Sequence, residues 1–304
     1  MQTITDKDFI DFIGKQESQY IMPASHWADD VIAEFNGNNV AQGDLLPWSK
    51  THNLIVLRPG EVSLWGGFNG HGKSQILGQA AAWNLKEKPW LLASMEMPPR
   101  KTMRRMIRQV AGSSRPTDEY ITRFSKWTDG RLWMYDQVDT VEHEKILGMV
   151  HYASEVLGIK HIVIDSLMKC GFRGSKDQIS SKQVDFVDRL CWAAKHYNNH
   201  IHLVHHMRKG EGNQSEYNRP GKHDFRGAGE IADLVDNQFI IHRNKRKEVM
   251  VGKGEEVDDS IPDATLECTK QRHGEWEGLL KFWFHEESQQ YTPDANNRPL
   301  PYGI

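Results

Sequence analysis

The sequence predicts an α/β fold. It has a mostly parallel, twisted sheet with helices on both faces and antiparallel strands at its C-terminal side. Three observations carry this. Short apolar runs alternate with helix-length stretches between residues 62 and 204, the pattern of βαβ units. A glycine-rich phosphate-loop pattern stands at the first joint between strand and helix, at 67–74. After Asp236 the long stretches stop and strands follow one another on short links, as antiparallel strands can.

In chain order, residues 1–45 read as a helical leader, packed on the main domain or docked on a neighbouring subunit. Asp8, Phe9, Ile10, Phe12 and Ile13 mark one short amphipathic helix, and 27–35 a second that starts near Ala24-Ser25. Asn36-Gly37-Asn38-Asn39 ends it. Residues 46–291 form the main domain. Its strands are expected at 62–65, 90–93, 132–135, 161–164 and 201–204, with helices at 73–85, 101–110, 141–157 and 181–197 between them. Strands at 239–242, 265–268 and 279–284 complete the sheet. Residues 292–304, with Pro293, Pro299 and Pro301, read as a flexible tail.

Composition bounds the function. The 304 residues carry 38% hydrophobic and 26% charged side chains, enough for a packed core. A net charge of −3 excludes a globally basic nucleic-acid coat and leaves room for a local basic channel. No apolar run approaches the ~20 residues of a membrane span, and Met1 to Asp6 lacks the order of a signal peptide. No membrane partner is expected, and the expected compartment is cytoplasmic. None of the 3 cysteines forms a CxxC pair, so no zinc ribbon or disulfide framework is expected.

The strongest motif is Gly67-Phe68-Asn69-Gly70-His71-Gly72-Lys73-Ser74, a complete G-x-x-x-x-G-K-[ST]. Its glycines let backbone N–H groups wrap a phosphate chain, and the helix that follows adds its positive end. Gly67, Asn69, Gly70, His71, Gly72, Lys73, Ser74 and Gln75 are the expected nucleotide-binding set. Lys73 would hold the β and γ phosphates of ATP or another NTP, and Ser74 would ligate Mg²⁺. Asp165, closing the apolar strand 162–164, is the second expected Mg²⁺ group. Glu96 follows the strand 90–93, where a carboxylate faces the ligand crevice and can act on water.

These residues carry a family likeness. From Arg58-Pro59-Gly60-Glu61 through the phosphate loop to Glu96-Met97-Pro98, the chain resembles DnaB-type (superfamily 4) replicative helicases, in the phage and Twinkle-like branch without a primase. Three more blocks agree in order: His205-His206-Met207; 224–231 leading to Asp236 and Arg243; and Lys270-Gln271-Arg272-His273-Gly274. The likeness spans about residues 43–291.

The resemblance implies a RecA-like P-loop motor that assembles into a ring, usually a hexamer, around single-stranded DNA. ATP would sit between subunits, and the ring would move 5′ to 3′. It implies Glu96 as general base, His206 as γ-phosphate sensor, Arg243 at the nucleotide, and Lys270 and Arg272 as a basic pair given to the neighbour. It also implies a bacterial or phage-infected cell, with an organelle matrix left open. Phe68 departs from the family's usual Thr or Ser, and nothing matches a primase.

Two polar stretches after 164 and 204 are the expected DNA loops. The first carries Arg173 and Lys176; the second carries Arg208, Lys209, Arg219 and Lys222, and Arg226 follows. Such cations would grip phosphates without reading sequence. The run Arg100, Lys101, Arg104, Arg105, Arg108 reads as a solvated helix face, with a subunit contact or a second DNA surface as alternatives. The tail is a candidate contact for a replication polymerase or primase. The rival reading is a RecA-like recombination, repair or loader ATPase that binds DNA without unwinding. A nucleotide-switched accessory subunit without turnover is a third.

Overall fold

The computed structural model describes residues 22–36, 43–207, 217–221, 224 and 229–303. It divides into two units, Met1–Gln42 and Gly43–Ile304. The expected helix at 8–13 lies outside the described residues. In the first unit, helix α1 (Ala28–Phe35) follows a single turn at Ala24–Trp27. Its Trp27, Val31, Ile32 and Phe35 are exposed.

The second unit holds a nine-stranded sheet. In chain order its strands are β3 (Val62–Gly67), β4 (Trp90–Ser94), β5 (Leu132–Met134), β6 (His161–Asp165), β7 (His200–His206), β8 (Asn237–Arg243), β9 (Ala264–Gln271), β10 (Gly278–His285) and β11 (Gln290–Thr292). A two-stranded ribbon, β1 (Asp44–Leu45) with β2 (Val56–Leu57), precedes them. The order across the sheet is β11-β10-β9-β8-β3-β7-β6-β4-β5. Strands β8, β3, β7, β6, β4 and β5 run parallel, and β9, β10 and β11 add on antiparallel. The expected fold class is the observed one.

Side-chain alternation explains the two cores. Val62, Leu64, Ile162, Ile164, Ile201 and Leu203 face one side, while Trp65, Val163, Val204 and Phe239 face the other. Both faces are buried, which is why the strands read as unbroken apolar runs. Helices α5 (His143–Glu155), α6 (Lys176–Tyr197) and α7 (Gly229–Leu234) cover the first face. Helices α2 (Lys73–Asn84), α3 (Pro99–Ala111) and α4 (Asp118–Trp127) cover the second. Helix α8 (Lys245–Gly252) lies between β8 and β9.

Local chemistry sets the helix ends. Proline at the first turn starts α3, and Gly112 in the left-handed region ends it. Ser175 and Gln178 form a reciprocal capping box on α6. That helix begins five residues before its expected start of 181, so Lys176 stands in its first turn.

Part of the C-terminal tail packs on the body. Tyr302 is buried against Trp83, and the Gln290 side chain donates to the Leu300 carbonyl at 3.1 Å. An aromatic side chain this far into the second core holds its segment against the body, whatever the proline content around it.

Under the sheet lies a polar stack. Trp65 Nε1 donates to His202 Nδ1 at 3.2 Å, so the His202 proton sits on Nε2 and faces His161 Nδ1 at 3.1 Å. His161 Nε2 then donates to Asp44 at 2.7 Å. His161 stacks on Trp90 with centroids 4.2 Å apart. This chain of hydrogen bonds ties β1 to the sheet.

Candidate functional site

The site forms where β3, β4, β6 and β7 end side by side. Gly67 pairs with His206 across β3–β7, and Ser94 with Asp165 across β4–β6. Parallel register therefore brings the phosphate loop, Glu96, Asp165 and His206 to one edge, the carboxyl edge of the sheet.

The chain leaves β3 through two constrained glycines. Gly67 has φ +155, and a Cβ there would stand 2.5 Å from the Ile241 carbonyl oxygen. Gly72 has φ +90, and its Cβ would run into the Tyr291 hydroxyl. Only glycine fits either place. Lys73 opens α2 and is buried; its Nζ donates to the Gly67 and Phe68 carbonyls at 2.9 Å each and stands 3.4 Å from His206 Nδ1. Burial pulls its ammonium down to about 8, against the pull of Asp165 and Glu96.

A cavity of about 320 Å³ opens over the loop. Asn69, Gly70, Gly72, Lys73, Ser74 and Gln75 line it from below, with Glu96, Asp165, His206 and Arg243 around them. Glu96 is 39% exposed at the side chain. Its Oε1 receives His206 Nε2 at 2.8 Å and Ser166 Oγ at 2.8 Å. The His206 bond, opposed by partial burial and helped by Ser166, holds this carboxyl down to about 2.

Asp165 is buried and accepts a hydrogen bond from the Ser74 hydroxyl. Burial pushes its carboxyl above the ordinary range, in spite of Ser74 and Lys73. Among the described residues no group of three or more His, Cys, Asp or Glu forms a metal cage. The hydroxyl and carboxylate are hard oxygen donors placed together, and the buried carboxylate is one that a cation would relieve. This pair fits a Mg²⁺ that takes its other ligands from phosphates and water.

His71 is not among the residues that line the cavity. It is buried, its ring meets Phe68 edge-on, and its Nδ1 accepts the Arg243 backbone N–H at 3.1 Å. It props the loop against β8. Phe68, the departure from the family pattern, is buried in the first core. Arg243 reaches the cavity, pairs with Glu248 and lies 5.7 Å from the Phe284 ring.

Lys270 and Arg272 do not line their own chain's cavity. Lys270 Nζ donates to the Ala232 and Asp233 carbonyls at 2.8 and 2.9 Å, and Arg272 to Asp233 at 2.9 Å, so both cations cap the end of α7. Arg173 and Lys176 are exposed beyond β6. Arg219 stands 3.5 Å from Glu267. Arg208, Lys209, Lys222 and Arg226 lie outside the described residues.

Sequence reasoning missed Arg105, Ser166, Phe284 and Tyr291. Arg105 lines the cavity, and its Nε is enclosed with no partner among the described residues. A signal existed: residue 105 falls between the buried Thr102 and Gln109, on the inward face of α3. Tyr291 carried none. Gln79 grips its backbone with both ends of the amide, accepting at 2.8 Å and donating at 2.9 Å, and with Trp48 Nε1, which donates to the same carbonyl at 2.7 Å, it helps pin β11 over the phosphate loop.

A second cavity, about 580 Å³, lies between α3 and α4. Met103, Ile107, Pro116 and Ile121 form its apolar floor, and Arg100, Arg104, Arg108 and Arg115 its rim. Among the described residues, no helix is long and apolar enough to cross a membrane.

A family model described as an AAA domain matches residues 51–212. No curated protein sequence matches the chain. Among solved structures, one described as an ATPase domain superposes with a TM-score of 0.69 at 13% identity, covering 88% of this chain and 98% of that one. "The Structure Of A DnaB-Like Replicative Helicase And Its Interactions With Primase" superposes with a TM-score of 0.67 at 14% identity, covering 87% of this chain and 66% of that one. At these identities the likeness establishes a shared fold.

Proposed function

The chain belongs to the AAA domain family, and from that premise we propose that it is an ATP-driven DNA helicase of the replicative, ring-forming type. The observation that carries this reading is the clustering of Lys73, Glu96, Asp165 and His206 around one phosphate-loop cavity. Phosphate binding, cation binding and water activation are supplied there by different side chains.

In this reading, loop amides and Lys73 hold the β and γ phosphates, and anionic phosphate keeps the buried ammonium charged. Ser74 and Asp165 would hold Mg²⁺, which when bound neutralises charge on the phosphate oxygens. Glu96 accepts the proton of the attacking water. The water oxygen bonds to the γ-phosphorus as the bond to the β–γ bridging oxygen breaks. His206, which contacts both Glu96 and Lys73, would feel whether a γ-phosphate is present. Lys270 and Arg272, turned away from their own cavity, would serve a neighbour's, where a trans cation stabilises the spread transition-state charge.

Ring assembly gains support from the leader. The α1 sequence ADDVIAEF combines three acids with apolar Val31, Ile32 and Phe35. The groove between α3 and α4 offers the complement: an apolar floor with an arginine rim. We propose that α1 of one copy seats in this groove of the next. Single-stranded DNA would run along Arg173, Lys176, Arg208, Lys209, Arg219, Lys222 and Arg226.

The test is purified protein with ATP, Mg²⁺ and forked DNA. DNA-stimulated hydrolysis with strand separation, both lost in Lys73→Ala, is the expected result. Hydrolysis and DNA binding without strand separation would favour the recombination or loader reading.

A further inference from the structure

Ser166 follows Asp165 at the end of β6 and is completely buried. Its hydroxyl has two neighbours in the cavity wall. Oγ donates to Glu96 Oε1 at 2.8 Å and lies 3.2 Å from His206 Nε2. His206 Nε2 is itself 2.8 Å from the same Glu96 oxygen. The three groups form a closed triangle.

Lys73 fixes the direction of its hydrogen bonds. Its ammonium has only donors and faces His206 Nδ1 at 3.4 Å, so the imidazole proton sits on Nε2. That proton points between Glu96 and the Ser166 lone pairs. The serine proton then has one acceptor, Glu96. Ser166 thus touches both the carboxylate and the histidine from the backbone position that directly follows the central strand β6.

We propose that Ser166 is a positioning residue that holds Glu96 in place for water activation while His206 turns toward the γ-phosphate. This rests on the reading of Glu96 as general base. When His206 Nε2 turns to phosphate, Oε1 loses one donor and keeps Ser166. The carboxylate stays oriented, and its other oxygen, Oε2, is the one open to the water. The water proton passes to Glu96, the water oxygen bonds to the γ-phosphorus, and ADP leaves with the bridging oxygen. A side chain at 166 without a hydroxyl leaves Glu96 free to rotate at the moment it is needed.

The experiment compares full-length wild type, Ser166→Ala, Ser166→Thr and Glu96→Gln in DNA-stimulated ATP hydrolysis across pH. Ser166→Ala should lower kcat roughly ten-fold, the scale of one lost hydrogen bond to a charged group. KM and the binding of a fluorescent ATP analogue should hold, which also reports a folded site. The acid limb of the kcat profile belongs to Glu96 in the ATP complex. It should move to higher pH by up to about one unit in Ser166→Ala, because a donor that favours the ionised carboxyl is gone. Ser166→Thr should restore both. If Ser166→Ala keeps the wild-type kcat and acid limb while Glu96→Gln abolishes turnover, the role of Ser166 is wrong and the base stands. If Glu96→Gln keeps turnover, the reading of the base itself fails.

Discussion

His206 Nε2 stands 2.8 Å from Oε1 of Glu96, close enough that the two side chains share one proton-mediated contact. The other ring nitrogen faces Lys73 Nζ at 3.4 Å. A phosphate drawn to Lys73 must therefore disturb the partner of Glu96. His206→Ala should keep most ATP affinity, because the phosphate loop is intact. It should lower kcat by roughly 10²-fold, the low end for losing an organising group in acid–base catalysis. His206→Gln, which keeps a donor, should lie between. Steady-state hydrolysis with analogue binding measures both, and an Ala variant with normal kcat would remove His206 from the mechanism.

Arg105 is expected to act on binding. Its enclosed Nε has no partner among the described residues, and burial, against the pull of Asp165, draws its pKa down. An anion in the cavity would supply what is missing. Arg105→Met should raise the ATP dissociation constant roughly 10- to 100-fold, the cost of one buried charged hydrogen bond. Lys should not rescue it, because an ammonium lacks the planar fork. Equal affinity in Arg105→Met by titration would show that the guanidinium serves the fold alone.

How much of this was legible beforehand depended on whether chain neighbours or spatial neighbours set the role. The phosphate loop was legible because Gly67, Gly72, Lys73 and Ser74 act through consecutive backbone atoms. Asp165 and Glu96 were legible as strand-end acids. Helix α4 was missed although Tyr120, Ile121, Phe124 and Trp127 repeat at helical spacing, because polar residues dilute the pattern. Arg105 was hidden by charge: Arg100, Arg104 and Arg108 share a face, and the run reads as solvent-facing until α3 is placed on the sheet. His71 drew attention by its place in the motif, yet it faces β8. Ser166 and Tyr291 have no motif; one gains its role from β4 and β7, the other from Gln79 across the core.

The α3–α4 groove carries a prediction about self-assembly. If α1 of one copy seats there, Phe35→Ser should weaken assembly, since Phe35 is 89% exposed and contributes apolar area only when covered. Arg104→Glu should do the same by placing like charge against an acidic helix that carries Asp29. A charge-swapped pair, Arg104→Glu with Asp29→Arg, should recover part of the loss. Mass measurement at fixed protein concentration and salt reads this directly. Unchanged assembly in both single variants would sink the idea, while DNA-independent ATP binding at Lys73 should be unaffected.

The buried histidines predict acid sensitivity with a definite sign. His200 is enclosed between the Ser63 hydroxyl at 2.8 Å and the Arg58 carbonyl at 2.6 Å, and burial holds it neutral, down to about 3. His202 is lowered well below 6.5 for the same reason, and a second proton would point its Nδ1–H at the Trp65 N–H. In the unfolded chain both return to the ordinary value. Between about 3 and 6.5 the unfolded state therefore binds more protons, and stability rises with pH. As pH falls below 6.5 the fold should lose up to about 1.4 kcal/mol per pH unit for each such group. His202→Phe removes one titrating group and leaves Trp65 Nε1 without an acceptor. It should cost about 1–3 kcal/mol at pH 8, yet its stability should decline less steeply with acid. The gap between variant and wild type in thermal unfolding should thus narrow from pH 8 to pH 5. Parallel curves would show that His202 binds protons equally in the folded and unfolded chains.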